Sequence, residues 1–135
     1  SLIRDLQASD VDVEMLMRVR DGLPGAFVLR SSGPGNQIRV FISNEWAKVG
    51  VQELRNCQVL LAETLPALPR LPVETPARFR VQLIGNYLRV WRNDHLLGEG
   101  AFPFTATSGA VGVSVSDGGR AEFDDVRVKI IKPGT

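Results

Sequence analysis

Asp10-Val11-Asp12-Val13-Glu14-Met15-Leu16-Met17-Arg18-Val19-Arg20 is the stretch on which the fold turns. Val11, Val13, Met15, Met17 and Val19 fall on one side of an extended chain, and Asp12, Glu14, Arg18 and Arg20 on the other. A period of two with one apolar side is a strand half-buried against a core. Downstream, Asp21-Gly22-Leu23-Pro24-Gly25 supplies turn chemistry, residues 26–30 resume an extended run, and Ser31-Ser32-Gly33-Pro34-Gly35-Asn36 breaks it again. Ile38, Val40 and Ile42 then alternate with Arg39 and Phe41, Val49 and Val51 with Lys48 and Gln52, and residues 59–62 form a shorter run. These read as consecutive strands of a meander.

Residues 65–76 carry Pro66, Pro69, Pro72 and Pro76. Each proline removes a backbone donor and restricts its predecessor, so the segment is expected to be an ordered loop crossing between sheets. Beyond it, five more strands are marked by Phe79, Val81 and Leu83; by Leu88 and Val90; by Leu96 and Leu97; by Val111, Val113 and Val115; and by Val126, Val128 and Ile130. Gly85-Asn86, Asn93-Asp94, Thr107-Ser108-Gly109 and Asp117-Gly118-Gly119 separate them. No stretch calls for a helix. Short strands at regular spacing with glycine or asparagine turns indicate an all-β, antiparallel, two-sheet sandwich or barrel.

The 135 residues suit a single β-sandwich domain spanning 1–135, and a hydrophobic share of 44% is enough for one core. Sixteen basic against fifteen acidic side chains leave no global field for nucleic acid or an anionic membrane, so no nucleic-acid partner is expected. Apolar stretches such as 59–62 are far too short to cross a bilayer, and no basic segment followed by an apolar one opens the chain. No membrane insertion is expected. Ser1-Leu2-Ile3 already looks like folded sequence, as in an excised domain or a processed protein.

With one cysteine and one histidine there is neither an internal disulfide nor a thiol or imidazole cluster for zinc. Cys57, beside Val59-Leu60-Leu61, is expected to be a buried structural thiol. His95 is expected to be exposed at a hairpin turn. Trp46 sits at another turn, either as an exposed anchor or as a plug at the end of the sandwich.

A polar and aromatic face is the main candidate site. Tyr87, Arg89 and Trp91 oppose Leu88 and Val90; Arg39 and Phe41 oppose Ile38 and Val40; Arg80 and Gln82 oppose Phe79 and Val81. If these strands share a sheet, one outer face gathers three arginines with three aromatics. Sugars bind by stacking on rings and by hydrogen bonding to planar polar groups, which such a face provides. The alternative is that the rings pack under a loop such as 65–76, with arginine stems covering them. Two acidic features stand apart. Asp10, Asp12 and Glu14 alternate onto one strand face, the ordinary outcome of an acidic solvent side. Asp124 shares parity with Val126, Val128 and Ile130, which are expected to face the core, so its carboxylate needs a partner such as backbone amides or Arg30.

Arg78-Phe79-Arg80-Val81, Tyr87-Leu88-Arg89-Val90-Trp91-Arg92-Asn93-Asp94, Gly109-Ala110-Val111-Gly112-Val113 and Ala121-Glu122-Phe123-Asp124-Asp125-Val126-Arg127-Val128 follow one another in an order that resembles the concanavalin A-like lectin/glucanase superfamily, particularly its laminin-G-like and carbohydrate-binding modules. The resemblance covers about the whole chain and implies a jelly-roll sandwich, with residues 12–14 on a strand pairing near the C-terminus. It also implies two sites. Asp10-Val11-Asp12-Val13-Glu14 resembles the Glu-x-Asp-x-Glu signature of the glucanases, but begins with Asp, lies in the first recognised strand, and belongs to a chain about half the length such enzymes need for a cleft. Asp124 matches an aspartate that contributes to a structural calcium site in those relatives, with Asp10 and backbone carbonyls as further donors; calcium takes six to eight oxygens, and no compact acidic loop supplies them.

The expected function is noncatalytic carbohydrate binding by a lectin-like module of a larger extracellular, cell-surface or phage adhesion protein. The rival is a structural or protein-interaction sandwich, such as a capsid decoration or tail component, whose polar and aromatic face meets another protein subunit or forms an oligomer. A glycoside hydrolase stands third. On this reading no catalytic residue is assigned, and amide replacement of Asp12 or Glu14 is expected to change stability by no more than about half a kcal/mol. Asp124→Ala is expected to cost roughly 1 to 3 kcal/mol through unsatisfied buried partners.

Overall fold

In the computed structural model of the chain, which describes residues 2–19, 25–33, 35–43, 48–66, 77–115 and 121–131, the alternating stretch that opens the sequence argument is a central strand of a sandwich. Eleven strands occur among the described residues: β1 (Leu2–Ala8), β2 (Asp10–Val19), β3 (Gly25–Gly33), β4 (Asn36–Ser43), β5 (Lys48–Arg55), β6 (Gln58–Pro66), β7 (Ala77–Ile84), β8 (Tyr87–Arg92), β9 (His95–Ala101), β10 (Gly109–Val115) and β11 (Ala121–Ile131). They form a six-stranded sheet in the order β1-β10-β3-β4-β5-β6 and a five-stranded sheet in the order β11-β2-β7-β8-β9. Every pairing is antiparallel. This is an all-β jelly-roll sandwich.

The inward side of each strand fills one core. Val11, Val13 and Met15 of β2 and Phe79, Val81 and Leu83 of β7 meet Phe27 and Leu29 of β3, Ile38 and Val40 of β4, and Val49 and Val51 of β5. Most of these side chains are fully buried, and each stabilises the fold by roughly 1.5–3 kcal/mol. The meander expected from residues 38–62 is the run β4-β5-β6. β6 and β7 lie in different sheets, so the connection between them crosses the sandwich; residues 67–76 themselves lie outside the described residues.

The hairpins follow their turn residues. Asn93 and Asp94 both have positive φ (48° and 68°), the backbone of a two-residue turn whose twist suits the flanking strands. Asn93 also ties its turn to β7, its side-chain oxygen accepting from the Arg78 amide at 2.9 Å. At the β7–β8 turn Gly85 takes φ 58°, where glycine carries no steric penalty.

Several expectations change. β1 was not recognisable as a strand. Asn56 and Cys57 form the β5–β6 turn with φ of 51° and 62°, so Cys57 is exposed rather than buried: the apolar run beside it begins only after the turn. Val126 and Ile130 are exposed, at 40% and 39%. β11 is an edge strand: Val126 lies in a bulge between Asp124 and Arg127, and Ile130, although its register opposite Val11 matches that of Val128 opposite Val13, sits at the open edge, so Val128 alone of the three packs against the core.

Candidate functional site

Arg39 and Phe41 lie on β4 of the six-stranded sheet, whereas Arg80 of β7 and Tyr87, Arg89 and Trp91 of β8 lie on the five-stranded sheet. The single face expected from alternation is therefore two faces on opposite sides of the molecule. Parity reports which side of its own sheet a residue occupies, and not which sheet that is.

The outer face of the five-stranded sheet neutralises itself. Adjoining strands bring Arg127, Glu14, Arg80 and Trp91 into one cross-strand row, and Lys129, Asp12, Gln82, Arg89 and Glu99 into the next. Arg80 grips Asp12 bidentately, its Nε donating to Oδ1 at 2.8 Å and its Nη2 to Oδ2. That hydrogen bond to Asp12 is the main cause holding the Arg80 guanidinium above its ordinary pKa. Glu14 accepts from Arg78 at 3.1 Å and lies 3.8 Å from Arg127; Glu99 accepts from Arg89 at 2.9 Å.

Both aromatics are covered by arginines of this network. The Arg80 guanidinium carbon stands 4.5 Å from the Trp91 ring centre, and that of Arg89 stands 5.0 Å from the Tyr87 ring. Trp91 is half-buried as a result, and Tyr87 is exposed. A shallow depression of about 260 Å³ opens beside the network, between Asp12, Glu14, Arg80, Arg127, Val128 and Lys129.

The three alternating carboxylates have separate fates. Asp12 and Glu14 are taken up by the arginines above. Asp10 is buried: its Oδ1 accepts from the Gly85 amide at 2.8 Å and lies 3.4 Å from Arg30 Nη2.

Arg30 is a site residue that sequence reading missed in this role. It takes φ 50° where β3 is irregular against both neighbours, and donates to the carbonyls of Ser9 (2.8 Å), Gly85 (2.7 Å) and Ala106 (3.0 Å). Burial lowers its pKa, a pull that Asp10 and then Glu53 oppose. Gly109 allows the kink: a Cβ there would stand 2.4 Å from the Arg30 carbonyl carbon. Asp10, implied as a calcium donor, contacts the Gly85 amide and the Arg30 guanidinium. The Asp124 side chain lies outside the described residues, its backbone pairing with Leu16. Among the described residues no three Asp, Glu, His or Cys side chains gather as metal donors. Trp46 also lies outside the described residues, and His95 is exposed at the start of β9.

Glu53 was also missed, although the inward series Val49, Val51, Glu53 announces it. It is 1% exposed, and its carboxylate accepts from the Thr105 amide (2.9 Å), the Thr105 hydroxyl (3.0 Å) and the Ala106 amide (2.8 Å). Those bonds anchor residues 102–108, which carry Phe104 and Ala106 into the core.

The outer face of the six-stranded sheet has the opposite character. Register places Arg39 between Val28 and Gln52, and Phe41 between Ala26 and Gly50. A Cβ at Gly50 would stand 3.9 Å from Phe41 Cδ2, in ordinary contact with the ring. Phe41, Arg39 and Gln52 are half-buried. The Gln37 amide is oriented by two partners: its nitrogen donates to Ser31 Oγ at 3.1 Å, and its oxygen accepts from Arg39 Nε and Nη2 at 2.6 and 2.9 Å.

No sequence family and no curated protein matches the chain. Solved structures do. The carbohydrate-binding module CBM66 of Bacillus subtilis superposes with a TM-score of 0.78 at 18% identity, over 93% of this chain and 78% of its own. A congerin II double mutant gives 0.74 at 8% identity, covering 96% and 98%, and chicken galectin 2 gives 0.66 at 10%, covering 93% and 94%. The chain has the jelly-roll fold of the concanavalin A-like lectins and carbohydrate-binding modules.

Proposed function

We propose that the protein is a noncatalytic carbohydrate-binding module whose ligand lies on the outer face of the six-stranded sheet, over Phe41 and Arg39. One observation carries this reading: that face pairs a half-exposed ring, flanked by Ala26 and Gly50, with the planar donors and acceptors of Arg39 and Gln52. A pyranose stacks its C–H face on such a ring and hydrogen-bonds its hydroxyls to such groups. The names of the similar structures, a carbohydrate-binding module and galectins, support the same class of ligand. The opposite face offers less, because its arginines are spent on carboxylates and its rings are covered by guanidinium groups.

A glycan array probed with the purified protein tests the reading, followed by titration of the best ligand. Phe41→Ala and Arg39→Ala are each expected to weaken binding by roughly 1–3 kcal/mol while the far-ultraviolet circular dichroism stays unchanged. Silence on the array overturns the function. Loss of binding in Trp91→Ala, with Phe41→Ala unaffected, moves the site to the five-stranded sheet.

A further inference from the structure

Five of the described arginines are matched to carboxylates. Arg30 lies beside Asp10, Arg78 and Arg127 beside Glu14, Arg80 beside Asp12, and Arg89 beside Glu99. Arg55 donates to the Thr105 hydroxyl that Glu53 also holds, and Arg39 differs from all of these: among the described residues its guanidinium meets only the neutral oxygen of Gln37. That contact uses Nε and one hydrogen of Nη2, which are the side edge of the guanidinium. The end edge, formed by Nη1 and the other hydrogen of Nη2, remains a two-pronged donor next to Phe41.

The surrounding charge points the same way. No Asp or Glu occupies an outward register position on β3, β4, β5 or β6, and Glu53 and Glu63 fall on the inward side of β5 and β6. Among the described side chains, Asp12, Glu14 and Glu99 lie instead on the outer face of the five-stranded sheet.

We infer that the ligand is an acidic saccharide, carrying a carboxylate or sulfate that the end edge of Arg39 receives while the sugar ring stacks on Phe41. The inference rests on the carbohydrate reading above and narrows it. A guanidinium fork matches two oxygens of one anion, which a neutral hydroxyl pair matches less strongly.

The experiment is an array of uronate-, sialate- and sulfate-bearing chains beside neutral chains and carboxyl-reduced or desulfated counterparts. Wild type is expected to bind an acidic chain at least tenfold more tightly than its neutralised counterpart, with affinity falling as salt rises from 50 to 500 mM, each set as a test condition of roughly a tenfold span in ionic strength. Arg39→Gln should abolish the preference, bringing the acidic chain down to the level of its neutralised counterpart, and Arg39→Lys should keep a reduced acid preference. Melting curves of both variants confirm that the fold is retained; if Arg39→Gln unfolds, the wild-type comparison of each chain with its neutralised counterpart decides alone. Equal binding of acidic and neutralised chains overturns the inference and leaves carbohydrate binding standing. Silence across all chains overturns both.

Discussion

Trp91 illustrates how a residue's partners decide its role. Strand parity puts it outward, and cross-strand pairing then sets Arg80 beside it, whose guanidinium lies over the ring while holding Asp12. The ring is thereby a floor for an ion pair. Trp91→Ala is expected to lower stability by about 1 to 3 kcal/mol, below the roughly 3–5 kcal/mol of a fully buried tryptophan, and to leave glycan affinity unchanged; a melt run beside the titration reads both. Asp12 changes category for the same reason. Its side chain is only 12% exposed against Arg80 at 40%, so it does not behave as the free surface acid that alternation suggests. Asp12→Asn is expected to cost about 1 to 2 kcal/mol rather than half of one, measured by urea unfolding, because the guanidinium loses a charged acceptor in a partly buried setting.

Among the elements, residues 102–108 have the most unusual support. They leave the five-stranded sheet at β9 and enter the six-stranded sheet at β10 without strand hydrogen bonds of their own, yet they bury Phe104 and Ala106. Glu53 replaces the missing ladder: a carboxylate from β5 accepts two successive amides and a hydroxyl, and Arg55 donates to the same hydroxyl from 3.3 Å. A buried amide without an acceptor is costly. Glu53→Ala is therefore expected to destabilise the protein by about 1 to 3 kcal/mol and to raise hydrogen exchange at the Thr105 and Ala106 amides ahead of the β2 and β7 amides. Exchange that rises uniformly would assign Glu53 to the global core instead of this connection.

At the scale of the whole molecule, what alternation reveals is within-strand and what it conceals is between sheets. Val11, Val13 and Met15 on β2, and Phe79, Val81 and Leu83 on β7, are inward as their period requires, and the Gly85 and Asn93-Asp94 turns lie where their residues place them. The grouping of Arg39 with Trp91 failed because sheet membership depends on the crossing after β6, which no local period encodes. A bulge between Asp124 and Arg127 likewise escapes the period, and a one-residue slip reverses every side beyond it. Arg30 was invisible for a related reason: its neighbours Ser9 and Asp10, Gly85, and Ala106 come from three separate parts of the chain. Its position supplies the last prediction. Arg30 joins β3 of one sheet to β2 and the β7–β8 turn of the other, at the place where a calcium ion sharing Asp10 would otherwise act. A metal bound only by the folded state raises the melting temperature with its concentration. If the guanidinium is the tie, millimolar calcium and excess chelator should give superimposable melts, while Arg30→Met should lose about 3 to 5 kcal/mol by leaving Asp10 and three carbonyls without their donor. A calcium-dependent rise in melting temperature, abolished by Asp124→Asn, would instead place a metal at the C-terminal strand and reduce Arg30 to one support among two.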